Sequence, residues 1–140
     1  MARMTGAGIT LEFSRPVKSE AFRLNLDNAP RGCVGYWCEW CFFSNVQQRW
    51  FHVDHLVPAS RMEEFRLSVA ELTSIRNACV LCKACNASKL NFDSPRHGVG
   101  LAFRAPNINL THGERRHQSL NWDALVQMAM RKGPYRRGQS

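Results

Sequence analysis

Apolar and polar side chains follow patterns along the chain that predict three short strands. Residues 9–13 alternate between apolar and polar positions, which fits a strand with one buried face, and Pro16 closes it. Residues 48–56 predict a second strand, and the compact apolar run at residues 78–81 predicts a third. Residues 17–26, which lie between the first two strands, have an ambiguous pattern.

Helix signals occur between the second and third strands and again in the C-terminal part. Ser-x-x-Glu sequences at residues 60–63 and 68–71 match the capping box, so a short helix or two is expected there. A further helix is predicted from about residue 82 to residue 92, directly after the third strand. Asn121 is expected to cap a C-terminal helix that a Gly-Pro pair ends, whereas residues 93–118 lack periodicity and are predicted to be irregular.

These elements predict a small α+β domain with a flanking N-terminal strand and a C-terminal helix. The chain of 140 residues fits a single domain, 1–140, at the small end for a self-sufficient core. Residues 1–8 lack the apolar segment of a signal peptide, and no run approaches the roughly 20 apolar residues of a membrane span. We therefore expect a cytoplasmic protein with no membrane partner.

Basic residues are concentrated in the C-terminal half of the chain. The net charge is +8, of which residues 1–70 contribute +1 and residues 71–140 contribute +7. A basic half suits a polyanionic partner, nucleic acid before membrane, although a solvated basic surface has the same composition. The basic tail, residues 131–140, is expected to be flexible.

Four of the six cysteines form two Cys-x-x-Cys pairs, Cys38 with Cys41 and Cys82 with Cys85. In a cytoplasmic chain such pairs indicate a metal site before they indicate disulfides. Four thiolates are the number that a closed, tetrahedral structural Zn2+ site needs, and such a site contributes folding energy. Cys79 and Cys82 have the same spacing, but Cys79 lies in the apolar run and is expected to face the core.

Asp54, His55 and Asn86 are candidates for phosphodiester chemistry. Such hydrolysis needs a base that activates water and a cation that neutralises charge on the phosphate. Asp54 and His55 are adjacent at the predicted end of the second strand, and Asn86 follows the last cysteine of the second pair. Carboxylate and amide oxygens are hard ligands that suit Mg2+ or Mn2+.

At these residues the chain resembles the HNH endonucleases, also called ββα-metal nucleases. The similarity covers about residues 36–92 and consists of Val-Asp-His-Leu-Val-Pro at residues 53–58, Arg-Asn at residues 76–77, and Leu-Cys-x-x-Cys-Asn-x-x-Lys at residues 81–89. It implies a zinc-stabilised ββα-metal domain of HNH, treble-clef-like architecture and metal-dependent DNA endonuclease activity. The family also suggests a phage or restriction-associated role.

The resemblance also implies a role for each matching residue. His55 would be the general base and Asp54 a ligand of the catalytic metal. Asn77 would order the loop and orient the histidine, and Asn86 stands where the family's third His or Asn binds the metal. The interval from His55 to Asn77 is longer than is usual in the family, so the helix predicted there is interpreted as an insertion.

DNA is the expected partner, and it would be held largely through its phosphates. Lys89 looks like a phosphate contact by resemblance, and the other candidates are the basic residues near the site and in the tail: Lys83, Arg131, Lys132, Arg136 and Arg137. Two alternatives stay open, a non-catalytic zinc-knuckle protein that binds nucleic acid and a ribonuclease or toxin-type nuclease. The sequence does not fix the sequence preference or the oligomeric state.

Overall fold

The structure is a computed structural model. It describes residues 11–63 and 65–89, together with residues 120, 121, 124, 125, 127, 128 and 131 of the C-terminal part. For residues 88 and 89 it describes the backbone only. The irregular segment predicted at residues 93–118, and the tail beyond residue 131, therefore lie outside the described residues.

The described chain has an α+β fold that contains two small antiparallel sheets. Strand β1 (Tyr36–Trp37) pairs with β2 (Ser44–Asn45), and β3 (Phe51–His55) pairs with β4 (Ala78–Cys82). Helix α3 (Lys83–Lys89) begins directly after β4 and contacts both β3 and β4, so this unit runs strand, strand, helix. The α+β class and both of the later predicted strands are confirmed, although a 3-10 turn, Gln48–Trp50, occupies the first residues of the second one.

The predicted N-terminal strand is wrong over its described part, and helix α1 (Arg15–Asp27) occupies the segment whose pattern was ambiguous. Residues 11–13 are irregular. The side chain of Ser14 caps the helix by accepting a hydrogen bond from the Val17 amide at 3.4 Å. Pro16 lies in the first turn, where the missing N–H has no helical partner to lose, and it therefore helps to begin a helix rather than closing a strand.

Asn25 fixes α1 against the segment that carries the first cysteine pair. This side chain is fully buried, and its Nδ2 donates to the Trp37 carbonyl and to Glu39 Oε2, each at 2.9 Å. Its Oδ1 accepts from the Trp37 amide at 3.1 Å. Burial raises the pKa of the Glu39 carboxyl to about 7, against the opposing effect of the Asn25 hydrogen bond. The polar contacts of α1 thus position the loop that follows β1.

The long connection between β3 and β4 contains the helix α2 (Val69–Leu72). At its start the Ser68 side chain accepts from the Glu71 amide at 3.1 Å, and the Glu71 carboxylate accepts from the Ser68 amide at 2.9 Å. The capping box predicted at residues 68–71 is therefore confirmed. The one predicted at residues 60–63 is wrong, because a 3-10 turn, Ala59–Arg61, overlaps that sequence and no α-helix starts there.

The core lies around β4, and the C-terminal part of the chain completes it. Leu81 and Leu125 are fully buried, and Met128 is nearly so. The described residues from 124 to 131 are helical, in agreement with the predicted C-terminal helix. Asn121 anchors this segment through its side-chain amide, which donates to the carbonyls of Ile75 and Ala78. None of the helices in the described part of the chain has the length and apolar run that crossing a bilayer requires.

Candidate metal centre and catalytic site

The two Cys-x-x-Cys pairs come together at the ends of β1 and β4. The sulfur atoms of Cys38, Cys41, Cys82 and Cys85 all lie within 4.8 Å of one another. The Sγ atoms of Cys41 and Cys82 are 3.8 Å apart. A tetrahedral Zn2+ site with Zn–S bonds of about 2.3 Å requires S···S separations of ~3.8 Å. The spacing of the sulfurs therefore fits a structural metal ion such as zinc, as the sequence predicted.

Each pair is shaped by the same local hydrogen bond. The amide of Cys41 donates to the Cys38 sulfur at 3.5 Å, and the amide of Cys85 donates to the Cys82 sulfur at 3.5 Å. Between the pairs, the Glu39 amide donates to the carbonyl of Val80 on β4 at 2.8 Å. This backbone bond links the first cysteine loop to the strand that carries the second pair.

The thiols of the cluster have pKa values that shift in different directions. Burial raises the pKa of the Cys38 thiol to about 12, and burial and the neighbouring thiols also raise the pKa of Cys85. Burial works in the same direction at Cys82, but hydrogen bonds from Cys85 and the other cysteines leave its pKa lowered. Four thiolates at this distance repel one another, so the donor set suits a dication that compensates their charge.

The two remaining cysteines do not belong to the cluster. Cys79 is buried on β4, where it pairs with Asp54 and donates its S–H to the Asp54 carbonyl at 3.4 Å. Cys33 directs its sulfur to the carbonyl of Phe42 at 3.5 Å. The cluster therefore contains Cys82 and Cys85 rather than Cys79.

Asp54 and His55 lie together at the end of β3. Neighbouring side chains on a strand face opposite ways, but β3 ends at His55, and the imidazole Nδ1 is 3.9 Å from Asp54 Oδ1. The same Oδ1 accepts a hydrogen bond from the His55 amide at 2.7 Å, and 29% of the Asp54 side chain is exposed. The carboxylate thus combines a fixed orientation with access to solvent.

The residues that precede α1 cover His55, which is only 6% exposed. Its Nε2 lies 2.7 Å from the Leu11 carbonyl, and its ring stacks on Phe13 with centroids 4.2 Å apart. Because a carbonyl oxygen can only accept, Nε2 carries the proton, and in the neutral ring the lone pair is on Nδ1. The sequence pattern did not predict this cover, since it assigned Leu11 and Phe13 to a strand.

Asn77 orders the connection between β3 and β4. The side chain is fully buried, and its Oδ1 accepts from the Val57 amide at 2.7 Å. Its Nδ2 donates to the carbonyls of Val57 at 3.0 Å and Leu72 at 2.9 Å. The backbone carbonyl of Asn77 also accepts from the Leu56 amide at 2.7 Å, directly after His55. Asn77 therefore fixes the chain that leaves the histidine.

Replacing Asn77 by alanine is expected to lower the free energy of unfolding by about 3–5 kcal/mol, because each buried backbone group left unpaired costs about 1–3 kcal/mol. Urea denaturation of the zinc-loaded protein measures this change. Asn86→Ala is the matched control, since the half-buried Asn86 side chain forms no hydrogen bond with another described residue, and a change within about 0.5 kcal/mol is expected. Equal losses in the two variants would contradict the ordering role of Asn77.

The remaining predicted residues are placed only in part. Asn86 lies on α3, which packs against β3 and β4, and Lys83 is exposed at the first position of the same helix. Lys89 ends α3, with its side chain outside the described features, and Arg131 is exposed in the C-terminal helical segment. The three further tail residues lie outside the described residues: Lys132, Arg136 and Arg137.

The sequence patterns also missed an aromatic and basic cluster beside the first turn of α3. The Lys83 ammonium lies 5.2 Å from the centroid of the Trp50 ring, and the Arg49 guanidinium lies 5.1 Å from it. The pairing of Phe51 with Cys82 would have indicated this contact, because Trp50 and Lys83 directly flank that pair.

Comparisons of the chain with protein-family models, with curated proteins and with solved structures give no match.

Proposed function

We propose that the chain is a metal-dependent DNA endonuclease of HNH type, with His55 as general base. One observation carries the proposal: each of the two ring nitrogens of His55 has a defined neighbour. Its Nε2 is bound to the Leu11 carbonyl, and its Nδ1 lies 3.9 Å from the Asp54 carboxylate. A histidine held in this tautomer presents a basic nitrogen next to an acidic, partly exposed group that suits a divalent cation.

His55 would take the proton of the attacking water at Nδ1. The imidazolium that forms is stabilised by the hydrogen bond from Nε2 to the Leu11 carbonyl and by the negative charge of Asp54. Asp54 and Asn86 would supply oxygen ligands for Mg2+ or Mn2+, and the bound ion would polarise the phosphate and neutralise charge on the leaving oxygen. Asn77 keeps the histidine in place through the backbone that follows it.

The four-cysteine cluster would support this site mechanically. Cys82 is the last residue of β4, and Cys85 and Asn86 are neighbours on α3. A zinc ion that joins this pair to Cys38 and Cys41 would fix the start of α3 against β3 and β4, and hence the position of the Asn86 backbone. The zinc would have no part in the chemistry, because all its coordination positions are taken by sulfur.

A non-catalytic, nucleic-acid-binding zinc protein is the second candidate. The burial of His55 under Phe13 favours it, since a stacked and hydrogen-bonded histidine also fits a purely structural role. The two candidates agree about the zinc and the basic charge. They differ only in whether the chain cuts a phosphodiester.

Incubation of the zinc-loaded protein with supercoiled plasmid and either Mg2+ or Mn2+ tests the proposal. Nicked or linear DNA is expected with at least one of these ions and none without an added divalent ion. A structured RNA run in parallel separates a DNA endonuclease from a ribonuclease, which would cut the RNA in preference. The absence of cutting with every divalent ion, by protein that retains its zinc, would leave the binding protein as the correct candidate.

A further inference from the structure

Trp50 lies at the surface between two cations, and we call Arg49, Trp50 and Lys83 together the Trp50 surface. The indole is 38% exposed, and the side chains of Arg49 and Lys83 are exposed as well. Both cationic groups lie within about 6 Å of the ring centroid, the range in which a cation interacts with an aromatic face. The register of β3 and β4 brings Lys83 next to Trp50, because the two residues flank the terminal pair of the sheet, Phe51 with Cys82.

Gln47 holds the indole and the guanidinium in place. Its Oε1 accepts from Trp50 Nε1 at 3.2 Å and from Arg49 Nε at 2.8 Å. The backbone N–H of Gln47 donates to Asn45 Oδ1 at 2.8 Å. The indole N–H and the Nε–H of the guanidinium are thus bound within the protein. A base that stacks on the ring would displace one of the two cations from the ring face toward the adjoining phosphate.

The two cations of this surface differ from Arg23, a basic side chain that is paired with carboxylates. Arg23 on α1 is paired with Glu20 and with Asp27. Across residues 11–63 and 65–89, by contrast, neither Arg49 nor Lys83 forms an ion pair with a carboxylate. Among these residues no carboxylate neutralises the two cations, which suits an anionic ligand.

We propose that the Trp50 surface binds single-stranded nucleic acid, with one base stacked on Trp50 and the adjoining phosphates held by Arg49 and Lys83. An aromatic ring flanked by cations matches both parts of a nucleotide, because every base has a π-face and every linkage a negative charge. A base within a duplex is already stacked on both faces and cannot offer one to the indole. This inference deepens the proposed function, on which it rests for the class of polymer, by naming an unpaired segment as part of the substrate.

The Trp50 ring of this surface lies away from His55, the proposed general base. Trp50 immediately precedes β3 and His55 ends it, so five residues of extended chain, or about 17 Å, separate them. A nucleotide stacked there would hold the strand without touching the reacting phosphate. Loss of the Trp50 ring should therefore weaken binding and raise KM while the rate at saturation changes little.

Fluorescence anisotropy with a labelled oligothymidylate, and with a duplex of the same length, tests this inference. The measurements use zinc-loaded protein without added Mg2+ or Mn2+, so that binding is measured apart from cutting. Trp50→Ala is expected to weaken single-strand binding by about 5- to 150-fold and duplex binding much less, since stacking is lost only for the single strand. Trp50→Phe, which keeps a ring, should retain most of the affinity.

Lys83→Ala provides a second variant that does not alter the ring. It should reduce the slope of log affinity against log salt for the single strand by about 0.7, the value for one lost phosphate contact. Arg31→Ala is the matched control, because Arg31 is an exposed cation in the turn before β1, and its slope should equal that of the wild type.

Three results would overturn the inference. Folded Trp50→Ala could bind the oligonucleotide like the wild type, it could lose duplex affinity equally, or polyglutamate could compete as well as the oligonucleotide, which would indicate an acidic protein ligand. Each is distinct from failure of the proposed nuclease. If no divalent ion gives cutting but Trp50→Ala still loses single-strand binding, the surface stands and the catalytic proposal falls.

Discussion

Replacing Cys82 by serine is expected to abolish zinc binding and to leave the chain largely unfolded. Structural zinc contributes about 10–16 kcal/mol of apparent binding free energy in small zinc domains, as much as the whole stability of a typical domain. Cys82 is at once the last residue of β4 and a member of the cluster, so its loss also releases the start of α3. Metal analysis should fall from a single zinc per chain to none, with loss of the cooperative thermal transition.

Cys79→Ser is the matched control for this experiment. Cys79 is three residues away on the same strand and is also buried, but its sulfur faces the Asp54 carbonyl. Serine preserves the donor, so zinc should remain bound and the free energy of unfolding should fall by only about 1–3 kcal/mol. Loss of zinc from Cys79→Ser together with its retention in Cys85→Ser would show that the wrong pair has been assigned to the metal.

The four-cysteine cluster could be predicted because its decisive features are local. A Cys-x-x-Cys turn brings two sulfurs onto one ion, and duplication of that turn supplies the full ligand set. The strand assignment also decides whether Cys79 or Cys85 pairs with Cys82. Three residues of extended chain place the Cα atoms of Cys79 and Cys82 about 10 Å apart. That distance is too long for two ligands of one ion. Cys82 and Cys85, by contrast, lie where the strand turns into a helix.

Helix α1 could not be predicted from its own pattern, because one of its inward positions is polar. Asn25 interrupts the apolar stripe of the helix, and Leu26 beside it is exposed. The burial of Asn25 is favourable only because Trp37 and Glu39, more than ten residues away, supply its hydrogen-bond partners. Such a long-range pairing has no signal in the local alternation of side chains.

The surroundings of the candidate site depended on similar long-range contacts. The end of β3 at His55 was predicted from the residues that follow it, and the approach of Asp54 results from that end. The cover over His55 comes from Leu11 and Phe13, some 40 residues earlier in the chain. Nothing in the spacing of those residues connects them with the histidine.

His55→Gln is expected to reduce plasmid cleavage by about 10²- to 10⁴-fold, the usual contribution of a general base. Glutamine can still donate a hydrogen bond to the Leu11 carbonyl, so the cover of the site should be retained, but an amide cannot accept the proton of water. His55→Ala should show the same loss together with lower stability, because it leaves a cavity beside Phe13. Initial rates of nicking at saturating Mg2+ or Mn2+ measure both variants.

His52→Ala is the matched control for the loss of cleavage in His55→Gln. His52 lies on the same strand, is exposed and pairs with Leu81, so its removal takes away an imidazole without touching the proposed base. Zinc content and single-strand binding should match the wild type in His52→Ala and in His55→Gln, since neither change reaches the cysteine cluster or the Trp50 surface. If His55→Gln keeps its zinc and cuts as fast as His52→Ala, the ring fixed by Leu11 and Phe13 is a structural element and the proton must leave by another group.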